Sequence, residues 1–165
     1  MEDLPENIKK LDLDKKREYL IPFLRAYNFN RGKGYFFGID LSGNLLFNRE
    51  NPDFEGKNVY DIEDIYGNRI IQLILKSLEN SKESLISYYW PGSDISDKNM
   101  KKFTYSRYFP ELDAVISCGD YYEDIEKEIK EETLTRIRHT RLPEDEYFFI
   151  FDQKDRIIFH KKSHL

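Results

Sequence analysis

A chain of 165 residues has room for one packed domain and part of a second. Its 39% hydrophobic and 15% aromatic content supplies a core, while a net charge of −5, with basic residues spread among acids, excludes a basic nucleic-acid-binding face. The single cysteine, Cys118, excludes an internal disulfide and a cysteine-based zinc site, and no run approaches the ~18–20 apolar residues of a membrane span.

Residues 5–27 read as a helix, with Leu11, Leu13, Tyr19, Leu20, Phe23, Leu24 and Tyr27 forming an apolar stripe among charges. Pro22 falls inside it and predicts a break or kink there. Gly32-Lys33-Gly34 marks a loop. Residues 35–40 and 44–47 then read as two strands of a hairpin around Leu41-Ser42-Gly43. Asn51-Pro52-Asp53 and Glu55-Gly56-Lys57-Asn58 punctuate a long loop. Asn68 is placed to cap a helix running to about residue 79, whose Ile70, Ile71, Ile74 and Leu78 share a broad apolar face. Residues 84–90 read as a strand closed by Pro91-Gly92. Residues 103–109 and 114–121 are two more, joined by Pro110-Glu111-Leu112-Asp113. A second long helix over about 122–140 places Tyr122, Ile125, Ile129 and Ile137 along one side and gains Glu–Lys and Glu–Arg pairs four apart.

Tyr35-Phe36-Phe37-Gly38-Ile39-Asp40 returns 112 residues later as Tyr147-Phe148-Phe149-Ile150-Phe151-Asp152, and Leu45-Leu46-Phe47 returns as Ile157-Ile158-Phe159. A fixed offset that keeps identities and turn position signals duplicated structural units. The element order gives an α+β fold: a five-stranded antiparallel sheet with flanking long helices. The expected division is an N-terminal helix over 1–30, a module over 31–121, a connecting helix over 122–140, and the opening hairpin of a truncated second module over 141–165. The chain is accordingly expected to be a piece of a longer protein.

The segments Gly34-Tyr35-Phe36-Phe37 with Asp40 and Gly43, Glu55-Gly56-Lys57-Asn58, Tyr88-Tyr89-Trp90-Pro91, Tyr105-Ser106-Arg107-Tyr108-Phe109-Pro110 and the stretch from Ile116 to Tyr121 resemble, in order and spacing, the PAS-like Cache sensor domains of bacterial transmembrane receptors, most of all the double-Cache type. The resemblance implies a small-molecule-sensing module in the extracytoplasmic (periplasmic) portion of an inner-membrane signalling protein: a histidine kinase, chemoreceptor or diguanylate cyclase. It implies no enzyme activity and no cofactor, attachment to the membrane only through segments outside this chain, and a homodimer formed through the long helices.

In such a domain the pocket lies between one sheet face and the long loop–helix segment, so strand alternation decides which side chains point inward. Tyr88 and Trp90 share a face of their strand, as do Phe103, Tyr105, Arg107 and Phe109 of theirs. A pocket walled by Tyr88, Trp90 and Tyr105 with Arg107 as its cation suits a small organic anion such as acetate, lactate or pyruvate, or an amino acid. The plainer alternative makes these aromatics ordinary core and Arg107 an edge residue. Asp120 is placed either to receive a ligand amine or to cap the following helix.

Asp40 and Asp152 precede turns in both copies and read as turn residues. His160 and His164 follow a strand without acidic or cysteine partners and make no metal site. The Lys-Lys pairs at 9–10, 15–16, 101–102 and 161–162 read as solvated surface, and no catalytic constellation is present. Two other functions compete with sensing: a ligand-free structural or dimerisation spacer, and a cytoplasmic PAS-like regulator or small enzyme.

Overall fold

A computed structural model describes residues 5–29, 34–92, 99–141, 143 and 146–162. The predicted loop residues Gly32 and Lys33, and His164 of the histidine pair, lie outside the described residues. The chain forms two compact units, Met1–Tyr122 and Glu123–Leu165.

The first unit begins with α1 (Glu6–Lys9) and α2 (Leu13–Ala26). The predicted interruption of the first helix lies before residue 13 rather than at Pro22. Asp12 accepts a hydrogen bond from the Lys15 backbone N–H at 2.9 Å and starts a new helix as its N-cap, whereas Pro22 sits inside α2, which runs on past it. The strands are β1 (Asn28–Phe29), β2 (Gly34–Ile39), β3 (Leu45–Asn48), β4 (Glu83–Pro91), β5 (Asn99–Phe109) and β6 (Ala114–Tyr121). All pairings are antiparallel, in the order β1-β2-β6-β5-β4, with β3 also on β2. β1 pairs at Gly34 and Tyr35 and β3 at Phe37 to Ile39, so the two follow one another along a single edge of β2. The sheet thus has one strand more than expected, because two residues are too few to show any period.

Each sheet face has its own cover. One face carries Tyr35, Phe37 and Ile39 of β2 with Tyr88 of β4 and Val115 of β6. These pack under α3 (Ile70–Ser77), which buries Ile70, Ile71 and Ile74, and under the loop residue Val59. The other face carries Phe47, Ala114 and Ile116 beneath Leu20, Ile21 and Leu24 of α2. Gly38 permits that second layer, since a Cβ there would lie 2.4 Å from the Phe47 ring. Arg17 fixes α2 to the β5–β6 turn by donating to the carbonyls of Leu112 and Asp113, both at 2.9 Å. Asn68 does not cap α3 as expected. Its amide and backbone N–H both donate to Asp64, and Arg69 occupies the cap position instead.

In the second unit α4 (Tyr122–His139) leads to a hairpin of β7 (Tyr147–Phe151) and β8 (Ile157–Lys162). Lys161, expected at the surface, donates to the Thr140 carbonyl at 2.6 Å and to the Arg138 carbonyl, placing its ammonium at the negative end of α4. Among the described residues no helix is long and apolar enough to cross a membrane.

Candidate functional site

Cα partners across antiparallel strands share a face, and the β4–β5 register pairs Tyr88 with Lys102, Trp90 with Met100 and Ile86 with Thr104. The face of β5 that meets the cavity is therefore Lys102, Thr104 and Ser106, all buried. Beneath α3 and the 49–69 loop this face lines a half-open cavity of about 120 Å³, walled mainly by apolar side chains, with Tyr35, Tyr88, Trp90 and Lys102 on the sheet side. A cavity of that size has room for several waters or for a small organic solute.

Lys102 is 2% exposed, although it was expected at the surface. Its ammonium donates to the Tyr35 hydroxyl at 2.8 Å, the one hydrogen bond it makes among the described residues. It also lies 4.5 Å from the Tyr35 ring centre and 5.2 Å from that of Tyr121, so two π faces share the charge. Burial pulls its pKa down from the usual 10.5 to about 8, while the more distant Glu50 and Asp120 favour the charged form. Burial likewise pushes Tyr88 up to about 12 against the pull of its Thr104 hydrogen bond, and pushes the Tyr35 phenol well above the ordinary tyrosine range. Both phenols therefore stay neutral and keep their protons. Thr104 donates to the Tyr88 oxygen at 2.9 Å.

The lid is held down by Asp64, itself 8% exposed. It accepts from the backbone N–H of Tyr66 at 2.9 Å, of Asn68 at 3.0 Å and of Tyr89 on β4 at 3.2 Å. Burial opposes its ionisation, but these donors and the Asn68 amide outweigh burial and hold its pKa below the usual range. The loop is thereby laced to the edge strand of the sheet.

Of the five expected ligand residues the structure brings two into the cavity, Tyr88 and Trp90, whose rings meet edge to face at 6.4 Å. Tyr105 and Arg107 lie on the opposite face. They pair with Leu85 and Glu83 of β4, the Tyr105 hydroxyl donates to Glu83 at 2.6 Å, and Arg107 stacks on Phe109. Asp120 pairs with Phe103 and belongs to that face too, so no carboxylate from it enters the hollow. Its Oδ1 accepts from the Tyr121 backbone N–H at 2.8 Å. The expected cation was thus displaced by one face. The cavity's cation is Lys102, five residues before Arg107 and of opposite parity. Which face meets the cavity depends on the inter-strand register, and a pairing shift of one residue exchanges the faces.

The described residues thus form a six-stranded antiparallel sheet with helices on both faces and an apolar pocket beside a buried cation. The chain matches the double-Cache form of the Cache domain model over residues 1–165 and belongs to the Cache domain family. Among solved structures it resembles a methyl-accepting chemotaxis protein from Vibrio parahaemolyticus at 25% identity and a TM-score of 0.64, over 72% of this chain and 78% of that one. It shares its fold with the periplasmic sensor domain of a chemotaxis protein (21% identity, TM-score 0.62, covering 68% of this chain and 77% of the other). A Cache chemosensory domain that recognises carboxylic acid also shares the fold, at 19% identity and a TM-score of 0.64 over 71% and 78% of the two chains.

Proposed function

We propose that the first unit is the extracytoplasmic sensing module of a membrane-bound signalling protein, and that its cavity takes a small monocarboxylate. The supporting observation is Lys102: a nearly fully buried ammonium with one neutral hydrogen-bond partner, facing an apolar hollow. An ammonium in that setting carries a desolvation cost of several kcal/mol, which an anion placed beside it offsets. The Lys102 ammonium and the Tyr35 hydroxyl provide the anion's donors, and the apolar wall of Val59, Ile62 and Ile70 receives a short carbon tail.

Among the described residues no acidic side chain lines the hollow, which favours simple carboxylates over zwitterions. The carboxylic acid recognised by the chemosensory relative points the same way. A ligand-free spacer is the weaker reading, because its hollow would be filled by bulky side chains.

Calorimetric titration with acetate, propionate, lactate, pyruvate and alanine tests the proposal. At least one carboxylate binds the wild type with a 1:1 stoichiometry, alanine does not, and Lys102→Met abolishes binding. Equal carboxylate affinity in Lys102→Met, or no binding by any of them, removes the reading.

A homodimer through the long helices belongs to the same proposal. α2 leaves Tyr19 and Phe23 at 50% and 65% exposure with their rings 5.5 Å apart, an apolar pair suited to a second helix. Light scattering that reports a monomer at all concentrations contradicts the dimer alone.

A further inference from the structure

One wall of the cavity is a strap folded back on β3. The Gly56 N–H donates to the Leu45 carbonyl at 2.7 Å and the Leu45 N–H to the Lys57 carbonyl at 2.9 Å, with a 3-10 turn over Pro52–Phe54 between. Asn51 and Phe54 of this strap, with Asn48 at the end of β3 where the strap begins, line the hollow. Glu55, the next residue, does not line it. Its Oε1 accepts the Asn48 backbone N–H at 2.9 Å, and its Oε2 takes the Arg25 Nη2 at 2.5 Å. Arg25 stands in the last turn of α2, so one carboxylate joins the cavity wall to the helix on the far side of the sheet edge.

The joint is incompletely made. The Arg25 side chain is partly exposed, but its Nε is buried and has no hydrogen-bond partner among the described residues, so the guanidinium holds Glu55 by one prong where its fork has donors for two. A buried donor left without a partner is costly, so the joint is one that a change in the strap can alter. At its other end α2 is pinned by Arg17 to the Leu112 and Asp113 carbonyls. Arg17 and Arg25 are eight residues apart, about 12 Å along the axis at ~1.5 Å per residue. A pull at Arg25 therefore acts on a helix fixed about two turns away.

We propose that the Glu55–Arg25 pair couples occupancy of the cavity to α2: a guest displacing Asn48, Asn51 and Phe54 shifts the strap, and the pair carries the shift to the last turn of the helix. This rests on the reading that a small carboxylate occupies the hollow, and it adds the route by which that occupancy leaves the site. A guest acts in this way only through its different affinity for the two strap positions, and the coupling is reciprocal.

Amide hydrogen exchange of the whole chain with and without propionate, or whichever carboxylate titrates, reads the coupling at residues 23–27. Guest binding changes exchange there in the wild type. In Arg25→Gln the guest still saturates the protein, but that change is lost. A change that persists in Arg25→Gln, or is absent from the wild type when the cavity is saturated, overturns the proposal.

A guest-free arm separates this failure from failure of the carboxylate reading. Denaturation midpoints are measured for Phe54→Ala, Arg25→Gln and the double variant. Coupling predicts a double-variant shift smaller than the two single shifts together, and independent, additive shifts overturn it. If no carboxylate binds yet the shifts are non-additive, the ligand assignment falls and the strap–helix coupling stands.

Discussion

The two Tyr-Phe-Phe hairpins share a backbone and differ in everything around it. Phe37 faces Asn48, Gly38 faces Phe47 and Ile39 faces Leu45, with a bulge between the second and third pairs. Phe149 faces His160, Ile150 faces Phe159 and Phe151 faces Ile157, with the bulge in the same place. Asp40 accepts from the N–H groups of Ser42 and Asn44 at 2.9 and 2.8 Å and from the Asn44 amide at 2.7 Å. Asp152 accepts from Lys154 and Arg156 N–H at 2.8 and 3.0 Å and from the Arg156 guanidinium at 2.7 Å. Yet Tyr35 is 7% exposed and Tyr147 61%, Phe37 6% and Phe149 43%. Turn, bulge and register are thus fixed by local chemistry. Burial of the first hairpin comes from the elements packed on it, β6 beside it and α2 and α3 over its faces. The cavity is a property of the assembled sheet, not of the motif that announces it.

The contrast breaks most visibly at the matched phenylalanines. Phe37→Ala should cost about 3–5 kcal/mol in chemical denaturation, as a large core truncation does, and Phe149→Ala under about 1 kcal/mol. Equal losses would mean that the second hairpin is packed as firmly as the first.

The next effect concerns what each tyrosine touches. Tyr35 holds the Lys102 ammonium, whereas Tyr147 stacks on Phe149 and meets His160 among the described residues. Lys102→Met removes a buried charge and should stabilise the guest-free protein at pH 7. A depression from 10.5 to about 8 corresponds to roughly 3 kcal/mol at ~1.4 kcal/mol per unit, of which lost contacts will take a share. The sign follows from proton binding. Between pH 8 and 10.5 the unfolded chain keeps the Lys102 proton and the folded one has released it, so wild-type stability rises relative to the variant with pH. The gap is full below pH 8 and closes toward 10.5. A pH-independent gap across denaturation curves would show that Lys102 titrates normally.

Removing the turn carboxylates sharpens the comparison from the other side. Asp40→Ala and Asp152→Ala each lose three hydrogen bonds and should loosen their turns locally. Faster amide exchange at Asn44 and at Arg156, alike in both copies, would confirm that the turn is autonomous. The Asp152 carboxyl pKa is held below the usual range by its Arg156 hydrogen bonds, so this part of the second turn weakens as pH falls through that lowered value.

The smallest effect lies at the left-handed residues, Gly43 at φ +82° and Asp155 at φ +58°. Asp155→Gly should gain a few tenths to ~1 kcal/mol, whereas Gly43→Ala should lose stability, since its Cβ would also lie 2.8 Å from that of Tyr60. Thermal midpoints moving in opposite directions check both.

The elements most readable in the sequence were those governed by short-range chemistry. The hairpin turns, the strands ending at Tyr121 and the apolar face of α3 rest on periodicity and turn residues that lie within a few positions of one another. Lys102 was hidden because its meaning is non-local. A Lys-Lys pair has the look of surface until Tyr88 and Tyr35, from two other strands, are placed around one of them. Arg107, beside Tyr105 and Phe109, had the richer neighbourhood in sequence but sits on the face that α2 covers only in part. Thr104 and Ser106, small and polar beneath the cavity, were the alternation that pointed inward. Asp12 and Asp64 show the same limit on a smaller scale. Which short side chain wins a competition for backbone N–H groups depends on three-dimensional reach, so α2 starts at an unforeseen cap and Asn68 serves a loop rather than a helix.

Calorimetric titration of propionate at pH 7 and pH 9.5, on the wild type and Lys102→Met, tests the cavity most directly. Lys102 as the anion's partner predicts saturable binding at pH 7, weaker binding at pH 9.5 once the ammonium has shed its proton, and none in the variant at either pH. Binding of equal strength at both pH values and in both proteins would contradict it.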